Sequence, residues 1–305
     1  MSVDGARPIP SWRPGTFLWP QGNTKLVLVG GVGSRSGEAE LSFSGLIRFL
    51  SERGGYDRRR DVLEATYAGV ESGGEWQPCL YVPADTRRPL IDSAEAVANS
   101  LDWYRARLPE TTRLCVLGYS LGGVVALDGA TLAVVRDRVG WQGRLASVMT
   151  FAAPLRGSSA GSLVNWAWLV TAEPDGLGEA GRDLDLRWRD REEQERVTRR
   201  AAFLRACGAR LLTLTDPGDA VVRPDEALLP AAGESPDDLL VPTERVRPGS
   251  MGHGALLDEP ATWRRVLSVL GPQTGAARVP PAQQQQIEQE LRAIKARLRA
   301  LGRIT

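Results

Sequence analysis

Short apolar runs bounded by glycine recur along the first half of the chain, and the stretches between them carry apolar residues at helical spacing. "KLVLVG" at 25–30 reads as a buried strand that runs into the glycine-rich loop "GGVGSRSG". "SFSGLIRFLSERGG", 42–55, spaces Phe43, Leu46, Ile47, Phe49 and Leu50 as a helix and stops at glycine. "DVLEATYAGV" reads as a second strand, 93–108 as a helix, "RLCVLG" at 113–118 as a third strand, 121–135 as a helix and 145–154 as a further strand. Strands alternating with helices predict an α/β fold with a mainly parallel sheet and helices on both faces.

After residue 155 the pattern weakens. Residues 156–190 read as loop-rich, and "REEQERVTRRAAFLRACG" as a charged amphipathic helix. Strand signatures return at 209–215 and 239–247, and "TWRRVLSVLG" closes the domain as a helix. The expected organisation is an N-terminal extension over 1–24, one domain over 25–271 with a cap insertion at about 156–200, a linker over 272–286 and a helix over 287–302. In that last segment Ile287, Leu291, Ile294, Leu298 and Leu301 form a heptad-like seam, which suits packing on the domain or in a homo-oligomer.

Composition narrows the picture mainly by exclusion. The 305 residues carry a formal net charge of +1, so no field of one sign argues for nucleic acid or an anionic membrane as partner. Cys79, Cys115 and Cys207 lack the spacing of a disulfide framework or a zinc site, and Cys115 lies in an apolar run that suits the core. No secretory leader pattern and no apolar stretch of membrane-spanning length are seen, so a soluble, cytoplasmic protein is expected.

The apolar run "LCVLGYSLGGVVAL", 114–127, is broken where nothing in the core requires a break. A strand turning sharply into a helix needs small residues on either side of the turn, and Gly118 and Gly122 supply them around Ser120. Such a turn exposes the serine hydroxyl at the sheet edge and leaves the Leu121 amide at the helix start free for an oxyanion. A second match, "GSSAG" centred on Ser159, lacks the preceding strand and the following helix. A serine nucleophile needs a base, and His253 is the one histidine in the sequence. Between the two, "LLTLTDPGDAVV" offers Asp219 as the acid, with Asp216 as a turn-capping alternative. The loop after the first strand should supply a second oxyanion donor, with Val32 as the candidate amide. It misses the last glycine of a dinucleotide fingerprint, and no phosphate-binding GxxxxGK[ST] occurs. "HGALLD" also fits an HxxxxD acyltransferase pattern, although Asp258 is more simply a cap for the final helix.

Taken together, "LVLVGGVGSRSGEAEL", "FSGLIRFLSERGGY", "LGYSLGGVVA", "DAVV" and "GHGALLDE" resemble the α/β-hydrolase lipases and esterases, in particular the lecithin:cholesterol acyltransferase-like and inositol-deacylase-like branch, over roughly residues 25–270. The resemblance implies an α/β-hydrolase fold, a serine hydrolase acting on a small-molecule or lipid-like ester, and no metal or organic cofactor. It also implies Ser120 as nucleophile, Asp219 as acid, His253 as base and the Val32 and Leu121 amides as oxyanion hole. Trp166 and Trp168, in the cap, would line an acyl pocket. Acyl transfer to an alcohol is the neighbouring chemistry, and a non-catalytic assembly role the more distant one. The chain departs from the family in carrying Gly30-Gly31 where His-Gly or Pro-Gly is usual.

Overall fold

The computed structural model describes residues 24–159, 176–243 and 252–271. The N-terminal extension, Trp166 and Trp168, the 272–286 linker and the 287–302 helix lie outside those residues. Five strands form one wholly parallel sheet: β1 (Thr24–Val29), β2 (Val62–Glu64), β5 (Arg113–Tyr119), β6 (Leu145–Phe151) and β7 (Arg210–Leu214), in the order β2-β1-β5-β6-β7. A separate antiparallel hairpin pairs β3 (Gly69–Ser72) with β4 (Glu75–Pro78).

Side chains alternate across a strand, and the two faces of the sheet are accordingly buried under different helices. Val27, Val29, Val116 and Val148 pack with Val97 and Leu101 of the helix Leu90–Arg107, and with Val124 and Leu127 of the helix Leu121–Arg136. Leu26, Leu28, Leu117 and Met149 face the other way, onto Leu46 and Leu50 of the helix Ser44–Gly54 and Val266 and Leu270 of the helix Pro260–Leu270. The expected mainly parallel sheet with helices on both faces is therefore what the chain forms. Cys115 lies in this core, where burial pushes its thiol up to about 11 and leaves it inert. Among the described residues no helix is long and apolar enough to cross a membrane.

Three segments differ from the sequence expectation. "DVLEATYAGV" is not one strand: pairing with β1 stops after Ala65, because Thr66 gives its amide to Ser100 Oγ and its hydroxyl to the Ala68 and Cys79 carbonyls, which turns the chain out of the sheet. Of the strand expected at 239–247, the described part, 239–243, makes one bridge between Leu240 and Thr215, preceded by a 3-10 turn at Pro236–Leu239. Pro236 lacks an amide hydrogen, which favours that turn over a ladder. The loop-rich reading of 156–190 also fails over 178–189, which is helical (Gly178–Arg189) and leads into the helix Arg191–Ala206. Arginine and aspartate dominate that first helix, so its apolar face is carried by a few buried positions, Ala180 and Leu184 among them.

These two helices dock on the helix that follows Ser120 through an ion triad in which Asp128 and Arg187 are buried and Arg200 is half-buried. Asp128 accepts from Arg187 at 2.6 Å and from Arg200 at 2.9 Å, and Arg187 also reaches the Leu155 carbonyl. Removing the shared carboxylate strands a guanidinium that is only 7% exposed. Asp128→Ala is expected to cost about 3 kcal/mol or more, the scale of a broken buried pair. Urea denaturation measures it, and an unchanged midpoint would show that the triad contributes nothing.

Candidate active site

In an open parallel sheet a crevice forms outside the carboxyl ends of two strands whose connections leave in opposite directions. The order β2-β1-β5 reverses direction between β1 and β5. Ser120 follows β5, and the loop of Gly30 and Gly31 follows β1. The site thus sits where topology alone opens a gap.

Ser120 has φ 57° and ψ −131°, a conformation that side chains rarely adopt and that persists only where its surroundings impose it. Its amide donates to the Phe151 carbonyl at 2.9 Å and its carbonyl accepts from the Gly123 amide at 2.9 Å. The glycines make room for the bend. A Cβ on Gly118 would stand 2.3 Å from the Gly122 carbonyl oxygen, and one on Gly122 would stand 2.3 Å from that of Gly30. Gly123, which the motif reading passed over, would meet Ala153 Cβ at 2.4 Å. The helix start is thereby pressed into the ends of β1 and β6.

The structure brings Ser120, His253 and Asp219 together across 133 and 34 residues of chain. His253 Nε2 lies 2.9 Å from Ser120 Oγ, and His253 Nδ1 lies 2.8 Å from Asp219 Oδ2. An ionised carboxylate only accepts, so Nδ1 carries the imidazole hydrogen and Nε2 accepts from the serine hydroxyl. Asp219 Oδ1 is held by the Val221 and Val222 amides at 2.8 and 3.1 Å, which fixes the rotamer that points Oδ2 at the ring. All three residues are buried, His253 at 9% exposure.

Asp216 is elsewhere engaged: it accepts from the Gly218 amide and the Thr243 hydroxyl, as a turn-capping residue does. Ser159 has no share in the imidazole; its amide donates to buried Glu226 at 3.2 Å. The N-cap residue of the final helix is Glu259, which makes no side-chain cap bond, and Asp258 stands one residue before it. Tyr119, unremarked in the sequence, lays its ring against His253 with centroids 5.1 Å apart. Burial, with the charge of Asp219 adding to it, pushes the Tyr119 phenol well above its ordinary range, so the ring stays neutral beside the imidazole. Gly254, at φ 88°, gives way to that phenol, since a Cβ there would lie 2.7 Å from the hydroxyl. Its place next to Ser120 in the motif was the available signal.

The β1 loop lies against the bend: a Cβ on Gly31 would touch Ser120 Cβ at 3.4 Å. No described residue accepts from the Val32 amide. Leu121 is the first residue of its helix, a position whose N–H has no intrahelical partner. Among the described residues no cluster of His, Cys, Asp and Glu is arranged to hold a metal ion.

No protein-family model matches the sequence, and no curated protein matches it. Solved structures are similar in fold. One is of the metagenome-derived lipolytic enzymes LipS and LipT, at 17% identity over 81% of this chain and 93% of that one, with a TM-score of 0.47. A thermophilic esterase from Thermogutta terrifontis, malate bound, shares 15% over 81% and 89%, with a TM-score of 0.44. Bacillus licheniformis lipase BlEst2 in mature form shares 14% over 87% and 94%, with a TM-score of 0.45. These similar structures are of lipases and esterases; the chemistry of this chain is read from its own atoms.

Proposed function

We propose that the protein is a serine hydrolase that cleaves carboxylic esters through an acyl-enzyme. The observation that carries this reading is the unbroken relay from Ser120 Oγ through His253 to Asp219, with both contacts under 3 Å. Ser120 Oγ attacks the ester carbonyl carbon as its proton passes to His253 Nε2. The resulting oxyanion is met by the amides of Val32 and Leu121. His253 returns the proton to the departing alcohol. Water then attacks the acyl carbon, giving its proton to His253, and the acid leaves as Ser120 recovers that proton. Asp219 holds the ring in its working tautomer and stabilises the imidazolium. An alcohol in place of water would make the same machinery an acyltransferase. The finer placement in the lecithin:cholesterol acyltransferase-like and inositol-deacylase-like branch, and a lipid-like ester as substrate, stand on the sequence motifs. Trp166 and Trp168 are proposed on the same footing as pocket residues.

A fluorophosphonate probe tests the reading, because phosphylation needs an activated hydroxyl. The wild-type chain and Ser159→Ala are expected to label, and Ser120→Ala to stay unlabelled. Mass spectrometry placing the adduct anywhere but Ser120 would overturn the assignment.

A further inference from the structure

The Val32 amide belongs to a peptide plane whose other end is the Gly31 carbonyl. A peptide unit is planar and trans, so whatever holds the Gly31 oxygen also aims the Val32 hydrogen. Ser34 holds it twice: the hydroxyl donates to Gly31 O at 2.6 Å and the amide at 3.3 Å. The Ser34 hydroxyl in turn lies 3.3 Å from the Tyr81 hydroxyl, which donates to Glu64 at 3.1 Å. Glu64 is anchored by the Gly37 and Ala39 amides at 2.6 and 3.4 Å. Two further bonds pin the flanking peptides: Tyr67 donates to the Gly30 carbonyl at 2.6 Å, and the Gly33 amide to Thr86 Oγ1 at 2.9 Å. Tyr67 is 1% exposed and its bond to Gly30 is buried, whereas the bonds of Ser34, Gly33 and Tyr81 are half-buried.

Such reinforcement is disproportionate for a surface turn. A loop beginning Gly-Gly has the most backbone freedom available to a chain, and here its carbonyls are fixed from behind while the Val32 N–H stays free. Resting on the ester-hydrolase reading, we propose that Ser34 is a positioning residue: by clamping the Gly31 carbonyl, it aims the Val32 amide at the oxyanion formed when Ser120 attacks. Ser34 acts only through the peptide it holds. Its effect should therefore be felt in the transition state and not in ground-state binding.

The test uses the full chain with a chromogenic p-nitrophenyl ester, together with a trifluoromethyl ketone that forms a tetrahedral oxyanion on Ser120. Ser34→Ala is expected to lower kcat about tenfold, less than the ~10²- to 10³-fold of a deleted donor, with KM unchanged. Affinity for the ketone should fall by the same factor. Ser34→Thr, which keeps the hydroxyl, should recover both to within about twofold of wild type. Should Ser34→Ala fail to fold, Ser34→Cys, close in shape but a weaker donor, carries the test, with a smaller fall in kcat at constant KM. Wild-type kcat and ketone affinity in Ser34→Ala would overturn the proposal, as would a loss appearing wholly in KM or one that threonine does not restore. Ester turnover surviving Ser120→Ala sinks the hydrolase reading itself. Turnover lost in Ser120→Ala yet untouched in Ser34→Ala sinks this inference alone.

Discussion

His253→Ala is expected to reduce kcat for ester hydrolysis by about 10⁶-fold, as losing the base of such a relay does elsewhere. The described structure has no substitute. His253 is the one histidine of the chain, and its Nε2 is the atom 2.9 Å from Ser120 Oγ. Asp219 cannot take over, because Oδ1 is committed to two backbone amides and Oδ2 lies on the far side of the ring. Tyr119, the aromatic neighbour of the ring, has its phenol held neutral by burial and is no base. Water must then serve as base, and the oxyanion donors and binding leave a residual acceleration of about 10³- to 10⁴-fold over the uncatalysed reaction. Because members of one relay act as a unit, Ser120→Ala and the double variant should fall to the same floor as His253→Ala. Steady-state kinetics with an activated ester measures all three. A His253→Ala enzyme within a hundredfold of wild type would mean that the imidazole is not the base.

Strands β1, β5 and β6 and the helices Ser44–Gly54, Leu90–Arg107 and Leu121–Arg136 were legible because each has a clear signature: at least four apolar residues in a short strand, or a 3.6-residue stripe for a helix. The elbow was legible for a different reason. Glycine at two fixed offsets from a serine inside an apolar run is a local constraint, and local constraints survive in one dimension. Two of the misreadings come from contacts distant in sequence. Nothing near Thr66 announces that Ser100 and the Cys79 carbonyl will turn the chain out of the sheet. Nothing near residue 180 announces that Arg187 will find a buried carboxylate on the helix of Ser120, so a run of charges read as loop. The preference for Asp219 over Asp216 rested on its place after the Pro-Gly turn and before the apolar "AVV". Both flank that turn, and in the fold the position of His253 separates them. The support of the β1 loop was invisible for the same reason, since Tyr67 and Thr86, which hold the Gly30 carbonyl and the Gly33 amide, lie far from that loop in sequence.

Asp219→Asn is expected to lower kcat about 10⁴-fold while leaving the fold intact, and the bonding of that side chain says why. The Val221 and Val222 amides donate to Oδ1, so an asparagine must place its carbonyl oxygen there and its NH₂ toward His253. Two donors would then face each other at the 2.8 Å contact unless the imidazole moves its hydrogen from Nδ1 to Nε2. In that tautomer Nε2 no longer has a lone pair for the Ser120 proton, and a structure almost indistinguishable from wild type carries a relay running the wrong way. Asp216→Asn makes the contrast. Its oxygens serve the Gly218 amide and the Thr243 hydroxyl, so the change should appear as a stability loss of about 1 kcal/mol with kcat altered less than tenfold. Thermal denaturation and kcat measured on both variants separate the two roles. Equal kinetic losses, or a near-normal rate in Asp219→Asn, would assign the acid to another group.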